Sequence, residues 1–329
     1  MAVGFCLRFK LPLHLQKRPL LKIFNSIQDF SSSGKTVLTL GTFDGVHIGH
    51  RKIIDRLVQI ANEEACESVI LTFFPHPRTV LQSDSDIRLL NTIDEKAQLL
   101  EDAGLENLVI HPFDKAFSRL TAEEFVKTVL VDRFGIKKII IGHDHRFGRN
   151  RTATIDDLRE FGSVYGFDVE QISAQEIDEV SVSSTKIREA LAQGNMRLAN
   201  DYLGYDYFLT ATVVKGRQLG RTIGFPTANL DLSDSYKLIP KQGVYVVRSV
   251  IDGVEVKGMM NIGTNPTVGG QDLSVEVNYL DFSGDLYGKE IKVEILHRIR
   301  DEEKFASLEI LKSEIEKDKH ATLDYFNQL

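Results

Sequence analysis

The run Gly41-Thr42-Phe43-Asp44-Gly45-Val46-His47-Ile48-Gly49-His50 restricts the fold of this chain more than any other stretch. A strand-like apolar segment, Thr36-Val37-Leu38-Thr39-Leu40, leads into it. Behind it, Ile53, Ile54, Leu57, Val58, Ile60 and Ala61 recur at helical spacing. The pattern is a strand, a glycine-bearing turn and a helix whose first turn carries two histidines. A helix start offers unpaired N–H groups and a partial positive charge, which suit phosphate oxygens. His47 and His50 lie three residues apart on one face and add donors aimed at the same anion. Gly41, Gly45 and Gly49 permit close backbone approach. Phe43 and Asp44 lie within the same turn. A His pair at this spacing also suits a helix cap or a plain surface. A metal site is less well supported, because no further His or Cys stands nearby at a recognisable ligand spacing.

At 329 residues the chain is long enough for two domains. Its net charge of −7 argues against a general nucleic-acid binder, whose affinity would rest on basic surface. Cys6 and Cys66 are far apart, which predicts free thiols in a reducing cytosol and a cytoplasmic location. There is no run of roughly 18 apolar residues such as a membrane span needs. Residues 1–20 mix apolar and basic side chains without the long apolar core of a signal peptide. They are expected to be an extension, with folded sequence starting near Leu21.

Up to about residue 190, strand and helix patterns alternate. Val69–Phe73, Leu108–Ile110, Ile139–Ile141 and Phe167–Ile172 read as strands. Helices are expected from Thr92 to Ala103, from Thr121 to Phe134 and from Ile155 to Tyr165. Such alternation implies a parallel sheet with ligands at the carboxyl ends of its strands. Two short helices around Gly194-Asn195 are expected to join this Rossmann-like domain (21–190) to the next, through a linker over 191–204. Beyond Tyr205, short strands separated by turns suggest an antiparallel β-barrel. Strands are expected at Thr210–Val214, Val244–Val247, Val254–Val256, Val275–Tyr279 and Ile291–Ile295. A terminal helix is expected over 301–317, with Phe305, Leu308, Ile310, Leu311 and Ile315 buried.

Three further segments of the first half are placed for the same ligand. Phe74-Pro75-His76-Pro77 follows a strand, and its prolines hold an extended turn from which His76 can project. The loop Gly142–Gly148 carries Asp144 after a buried strand. Ser183-Ser184-Thr185-Lys186-Ile187-Arg188 opens a helix whose hydroxyls and N–H groups can hold phosphates, and Arg188 can grip an oxyanion with two donors.

Together these motifs resemble the adenylyltransferase domain of prokaryotic bifunctional riboflavin kinase/FAD synthetases. The resemblance implies attack by the FMN phosphate on the α-phosphorus of ATP, with FAD formed and pyrophosphate released. His47 and His50 would then face ATP phosphates and transition-state charge, and Ser184, Thr185 and Arg188 the triphosphate. Many relatives carry Phe where this chain has His145.

The second half carries Gly216-Arg217-Gln218-Leu219-Gly220-Arg221-Thr222-Ile223-Gly224-Phe225-Pro226-Thr227-Ala228-Asn229. Glycines there let N–H groups approach phosphate, but no Lys-Ser/Thr follows the last one, so it is not a Walker A loop. Thr227 and Asn229 offer hard oxygens of the kind Mg²⁺ accepts beside ATP. Glu276 lies in an alternating strand, where a solvated face is the ordinary fate and a base at the barrel mouth the functional one. This half resembles the riboflavin kinase domain of the same family. The matching motifs are Gly220–Asn229, Asn261–Pro266, Val275-Glu276 with Leu280–Phe282, Leu286–Gly288 and Arg300 leading into Glu303–Phe305. By that resemblance Gly220, Arg221, Gly224, Pro226, Thr227 and Asn229 belong to the ATP site, with Mg²⁺ on Thr227 and Asn229. Glu276 would take the proton of the riboflavin 5′-hydroxyl, and Arg300 would lie on the flavin side. The expected partners are riboflavin, FMN, FAD and ATP, without nucleic acid or membrane, on a monomer or weak homo-oligomer.

Two other readings compete. His-Ile-Gly-His also opens a class of aminoacyl-tRNA synthetases, but no Lys-Met-Ser-Lys-Ser loop is present. A flavin-binding regulator without turnover would be expected to lack Glu276 or the histidine pair.

Overall fold

The computed structural model describes residues 20–82, 87–142, 146–173, 182–216, 218–232, 235–267 and 270–328. The expected extension (apart from residue 20), Asp144 with its two flanking histidines, and Arg217 lie outside them.

Six strands form the first sheet: β1 (Lys22–Phe24), β2 (Thr36–Leu40), β3 (Glu67–Phe73), β4 (Asn107–His111), β5 (Ile136–Gly142) and β6 (Asp168–Ile172). They run in the order β1-β4-β3-β2-β5-β6, and every pairing is parallel. The edge strand β1 has no apolar run to announce it, and sequence periodicity missed it. Successive strand residues point to opposite faces. Val37, Ile70, Leu108 and Ile140 pack beneath α1 (Ile48–Glu63) and, beyond the short α2 (Pro77–Leu81), α3 (Ile93–Asp102). Leu38, Leu71, Val109, Ile139 and Ile141 pack on the other face. They meet the helical stretch that starts as α4 (Ala122–Glu124) and the helix α5 (Ile155–Tyr165).

Local chemistry explains the helix ends. Thr92 and Glu95 close a capping box at α3, and Thr121 and Glu124 close one at α4. After α4 the winding widens to a π-helix over Phe125–Val131, where a continuous α-helix was expected. Phe125, Val126, Val129 and Leu130 are all buried there.

The second sheet is a closed barrel of β7 (Phe208–Val214), β8 (Ala228–Asp231), β9 (Gly243–Ile251), β10 (Val254–Thr267), β11 (Gly270–Tyr279) and β12 (Glu290–Arg300). Its order is β10-β11-β8-β7-β12-β9, with antiparallel pairings throughout. Closure removes the exposed edges an open sheet of this length would present. The strand β8 starts inside Pro226-Thr227-Ala228-Asn229, a stretch that looks like a turn in sequence.

The two short helices after the first sheet, α6 (Ser184–Gln193) and α7 (Met196–Leu203), are more than a tether. Ile187, Leu191, Met196 and Leu203 join one core with Leu90 of the first domain and Tyr207, Leu209, Met260 and Ile262 of the barrel.

The expectation for the terminal helix needs correction. After the short α8 (Leu219–Thr222), the last helix, α9, runs Leu308–Asn327, later and longer than predicted. Its fully buried residues are Asp318 and Thr322, whereas Leu308 and Ile310 are 64% and 47% exposed. Ser307 caps its start by accepting from the Ile310 N–H at 3.3 Å. The docked face is set by Asp318, whose carboxylate receives Arg300 of β12 through two bonds of 2.9 and 2.8 Å.

Candidate active sites

The first site gathers at the carboxyl ends of β2 and β3. The turn after β2 is bent into conformations that L-residues rarely adopt: φ is +45° at Phe43, +89° at Gly45 and +37° at Val46. Buried packing holds it there, since Phe43 and Val46 are 3% and 4% exposed. A Cβ on Gly45 would lie 2.6 Å from Leu90 Cδ1, so both the positive φ and the close approach require glycine. Gly41 hydrogen-bonds to the Leu71 carbonyl at 3.1 Å, and Gly49 is buried within α1.

His47 is the N-cap of α1, and its Nδ1 accepts the His50 N–H at 3.3 Å. That bond places the His47 proton on Nε2. The two rings stack at 3.7 Å. Capping therefore also fixes the orientation of the two rings. Burial lowers the His47 pKa to about 4. Burial, then the neighbouring His47 and Lys96, hold His50 well below the ordinary histidine value. Both rings are neutral at pH 7 and offer directed N–H donors rather than fixed charge. Among the described residues, the buried His50 Nδ1 has no hydrogen-bond partner.

Asp44 is 2% exposed and organises the rest. It accepts the Leu90 N–H at 2.9 Å and an ion pair from Arg188. The Ser184 hydroxyl donates to the Asp44 carbonyl at 2.9 Å, and Arg188 Nε donates to the Arg88 carbonyl at 3.0 Å. Thr185 follows in the first turn of α6, whose N-cap is Ser183. His76 caps α2 after a cis Phe74–Pro75 bond, accepting the Arg78 N–H at 3.2 Å. Its pKa falls to about 4, chiefly by burial, while Asp44 opposes the shift.

The second site lies at the barrel mouth. Glu276 of β11 pairs with Asn229 of β8. Its carboxylate accepts the Thr227 hydroxyl at 2.9 Å and the Ser274 hydroxyl at 3.3 Å. Asn278 Nδ2 donates to the Pro226 carbonyl at 2.7 Å. A Cβ on Gly216 would lie 2.3 Å from Asn229 Oδ1, and one on Gly220 would lie 2.2 Å from the Phe225 carbonyl oxygen. Gly224 has φ +92°. Arg221, in the last turn of α8, is exposed. An open cavity of about 440 Å³ adjoins the site, bordered by Gly224, Pro226, Asn278, Phe282 and, from α9, Lys312 and Lys319.

Among the described residues, no three His, Cys, Asp or Glu side chains cluster as a metal cage. Two neutral oxygens and one carboxylate beside a glycine-lined approach instead suit a magnesium ion that keeps phosphate and water ligands.

The profile described as FAD synthetase matches residues 29–186, and that described as riboflavin kinase matches 203–326. The bifunctional riboflavin kinase/FMN adenylyltransferase of Escherichia coli K12 is 36% identical, over 93% of this chain and 98% of its own. Its Bacillus subtilis 168 counterpart is 37% identical, over 90% of this chain and 94% of its own. This chain belongs to the bifunctional riboflavin kinase/FMN adenylyltransferase family. A crystal structure titled as a macrolide-efflux protein from Streptococcus pneumoniae superposes with TM-score 0.83 at 32% identity, covering 92% of this chain and 98% of that one. No helix among the described residues is long and apolar enough to cross a membrane.

In the adenylyltransferase domain, motif reasoning located His47, His50, Asp44, Ser184 and Arg188, and the fold brings them together. It missed Lys96, whose ammonium donates to the Thr42 carbonyl at 2.7 Å. It also missed Tyr205, whose hydroxyl crosses from the chain just before the barrel to the Gly45 carbonyl at 2.8 Å. Neither has a glycine-rich or paired-residue signature. In the riboflavin kinase domain, Arg300 was expected on the flavin side. Its guanidinium pairs with Asp318, which α9 buries as it docks along β12.

Proposed function

We propose that residues 21–190 form FAD from FMN and ATP, and that residues 205–329 form FMN from riboflavin and ATP, with 191–204 joining them. The observation that carries this division is the convergence of each motif set in its own domain. The histidine pair and Asp44–Arg188 meet on the parallel sheet, and Glu276, Thr227 and Asn229 meet on the barrel.

In the first domain the FMN phosphate supplies the nucleophile, so positioning and charge stabilisation supply the catalysis. The neutral His47 and His50 donate toward the α-phosphate as charge builds. Arg188 keeps Asp44 in place through one edge and turns its remaining donors to the triphosphate. Ser184 and Thr185 present the start of α6, and His76 borders the pocket. Asp144 belongs to the same nucleotide site. Pyrophosphate leaves as FAD forms.

In the barrel, Glu276 accepts the proton of the riboflavin 5′-hydroxyl as that oxygen attacks the γ-phosphorus. Thr227 and Asn229 would hold magnesium, which neutralises phosphate charge when bound. Gly220, Arg221, Gly224 and Pro226 shape the ATP approach. Arg300, held by its pairing with Asp318 of α9, lies on the flavin side. The chain works in the cytoplasm as a monomer or weak homo-oligomer.

Chromatographic separation of flavins tests the reading. Protein with riboflavin, ATP and Mg²⁺ is expected to yield FMN and then FAD, and with FMN and ATP to yield FAD. FMN without FAD in the first mixture would remove the adenylyl assignment; no product in either would support a binding protein.

A further inference from the structure

Lys96 sits in the first turn of α3, yet its side chain does not reach solvent. It is 3% exposed, and its ammonium donates to the Thr42 carbonyl at 2.7 Å. The Thr72 hydroxyl reaches the same carbonyl at 3.3 Å. A buried ammonium ordinarily sits against a carboxylate. No carboxylate lies within ion-pair distance of Lys96 among the described residues. Glu95, its neighbour in sequence, is turned away to Lys237. Asp44 is engaged by Arg188.

The groups facing Lys96 are Asp44 on the turn, His50 on α1, His76 before α2 and, through Asp44, Arg188 on α6. Lys96 is close enough to both histidines to lower their pKa values. The histidines are neutral, and the single Asp44 carboxylate is shared between Arg188 and Lys96. Among these groups the pocket therefore carries a net positive charge, with two of the three ammonium N–H donors still unassigned. Desolvating a cation beside a phosphate-binding turn is costly unless an anion arrives to balance it.

We propose that Lys96 is a positioning residue for adenylyl transfer: it fixes the Thr42 carbonyl at the base of the strained turn and supplies the net positive charge that favours a bound polyphosphate. This rests on the assignment of FAD formation to the parallel domain. Burial brings the Lys96 pKa down to about 8, with Asp44 opposing the shift, so its charge is lost in a range that steady-state kinetics can scan.

The test uses full-length Lys96→Met and Lys96→Arg, assayed for both reactions. Riboflavin phosphorylation in the same chain reports folding and is expected to stay within about twofold of wild type. Lys96→Met is expected to raise KM for ATP and lower kcat/KM for FAD formation on the order of 10²-fold, the size seen when one oxyanion-hole donor is removed. Lys96→Arg is expected to retain most of the rate. The wild-type kcat/KM is expected to fall above about pH 8, and the arginine variant to lose that limb, because guanidinium does not titrate there. A purely structural role for Lys96 would leave the limb in place. Superimposable pH profiles for wild type and Lys96→Arg would overturn the inference, as would Lys96→Met within threefold of wild type. If Lys96→Met fails to fold, the arginine profile still decides. Absence of FAD formation by wild type would instead refute the domain assignment itself.

Discussion

Lys237 of the barrel domain and Glu95 of α3 form an ion pair across the domain junction, with side chains 0% and 3% exposed. The Lys237 ammonium also lies 4.8 Å from the ring centres of Tyr207 and Phe208. Glu95 accepts the Thr210 N–H at 3.0 Å while its other oxygen takes the Thr92 N–H at 2.9 Å. One carboxylate thus caps a helix in the first domain and binds the backbone of the second. Leu89 and Lys237 extend the junction as a parallel bridge.

Removing one partner leaves a buried charge without its counterion, which typically costs about 3–5 kcal/mol. Lys237→Met is therefore expected to lower unfolding stability by that order in a denaturant titration. Lys237→Met with Glu95→Gln should lose less than the single lysine variant, because no bare carboxylate remains. A double loss equal to the sum of the two single losses would show that the pair is not coupled.

Tyr205 links the junction to the turn at Gly45. Tyr205→Phe removes the bond to the Gly45 carbonyl, along with the contact to Asn91 at 3.2 Å; the Gly45 bond alone is worth about 1 kcal/mol, or roughly fivefold in rate if it holds the turn in place. FAD formation from supplied FMN is expected to slow by that factor while FMN formation does not change. A parallel fall in both rates would point to general loosening instead.

Acid should destabilise the protein through His47. Its pKa is about 4 in the folded chain against an ordinary value of 6.5. Between those values the unfolded chain holds a proton that the folded chain lacks, so stability is full above about 6.5 and declines as pH falls toward 4. The contribution amounts to about 3 kcal/mol. His50, shifted in the same direction, adds to it. His47→Asn preserves an N-cap residue and should flatten the stability profile across that window. A slope unchanged from wild type would assign the acid sensitivity elsewhere.

The two chemistries should separate by mutation. Glu276→Gln is expected to cut riboflavin phosphorylation by about 10²–10⁴ and leave adenylylation of supplied FMN intact. His50→Ala should do the reverse. Normal phosphorylation by Glu276→Gln would remove the base assignment.

Much of this was legible in one dimension. The turn from Gly41 to His50 announces a strand, a tight bend and a helix start, all local properties. The capping pair Thr121–Glu124 is local too and forms as the spacing indicates, and the helix opened by Thr92 closes a box with Glu95 as well. Periodicity failed where local signal was weak or misleading. β1 is only three residues and mostly exposed. β8 hides behind a proline. The terminal helix docks through Asp318, paired with Arg300, while its apolar residues at 308 and 310 stay exposed.

Sequence alone determined the succession of parallel sheet and barrel and the identity of the motif residues, since these depend on period, turn chemistry and residue type within a few positions. Tertiary structure alone decided that Lys96 faces Thr42, that Tyr205 reaches Gly45, that Lys237 neutralises Glu95 and that Arg300 pairs with Asp318. Each of those contacts joins residues 18 to 160 positions apart. The choice is made by which partner remains when the rest of the core has closed, because a buried charge or hydroxyl must find a partner inside the protein.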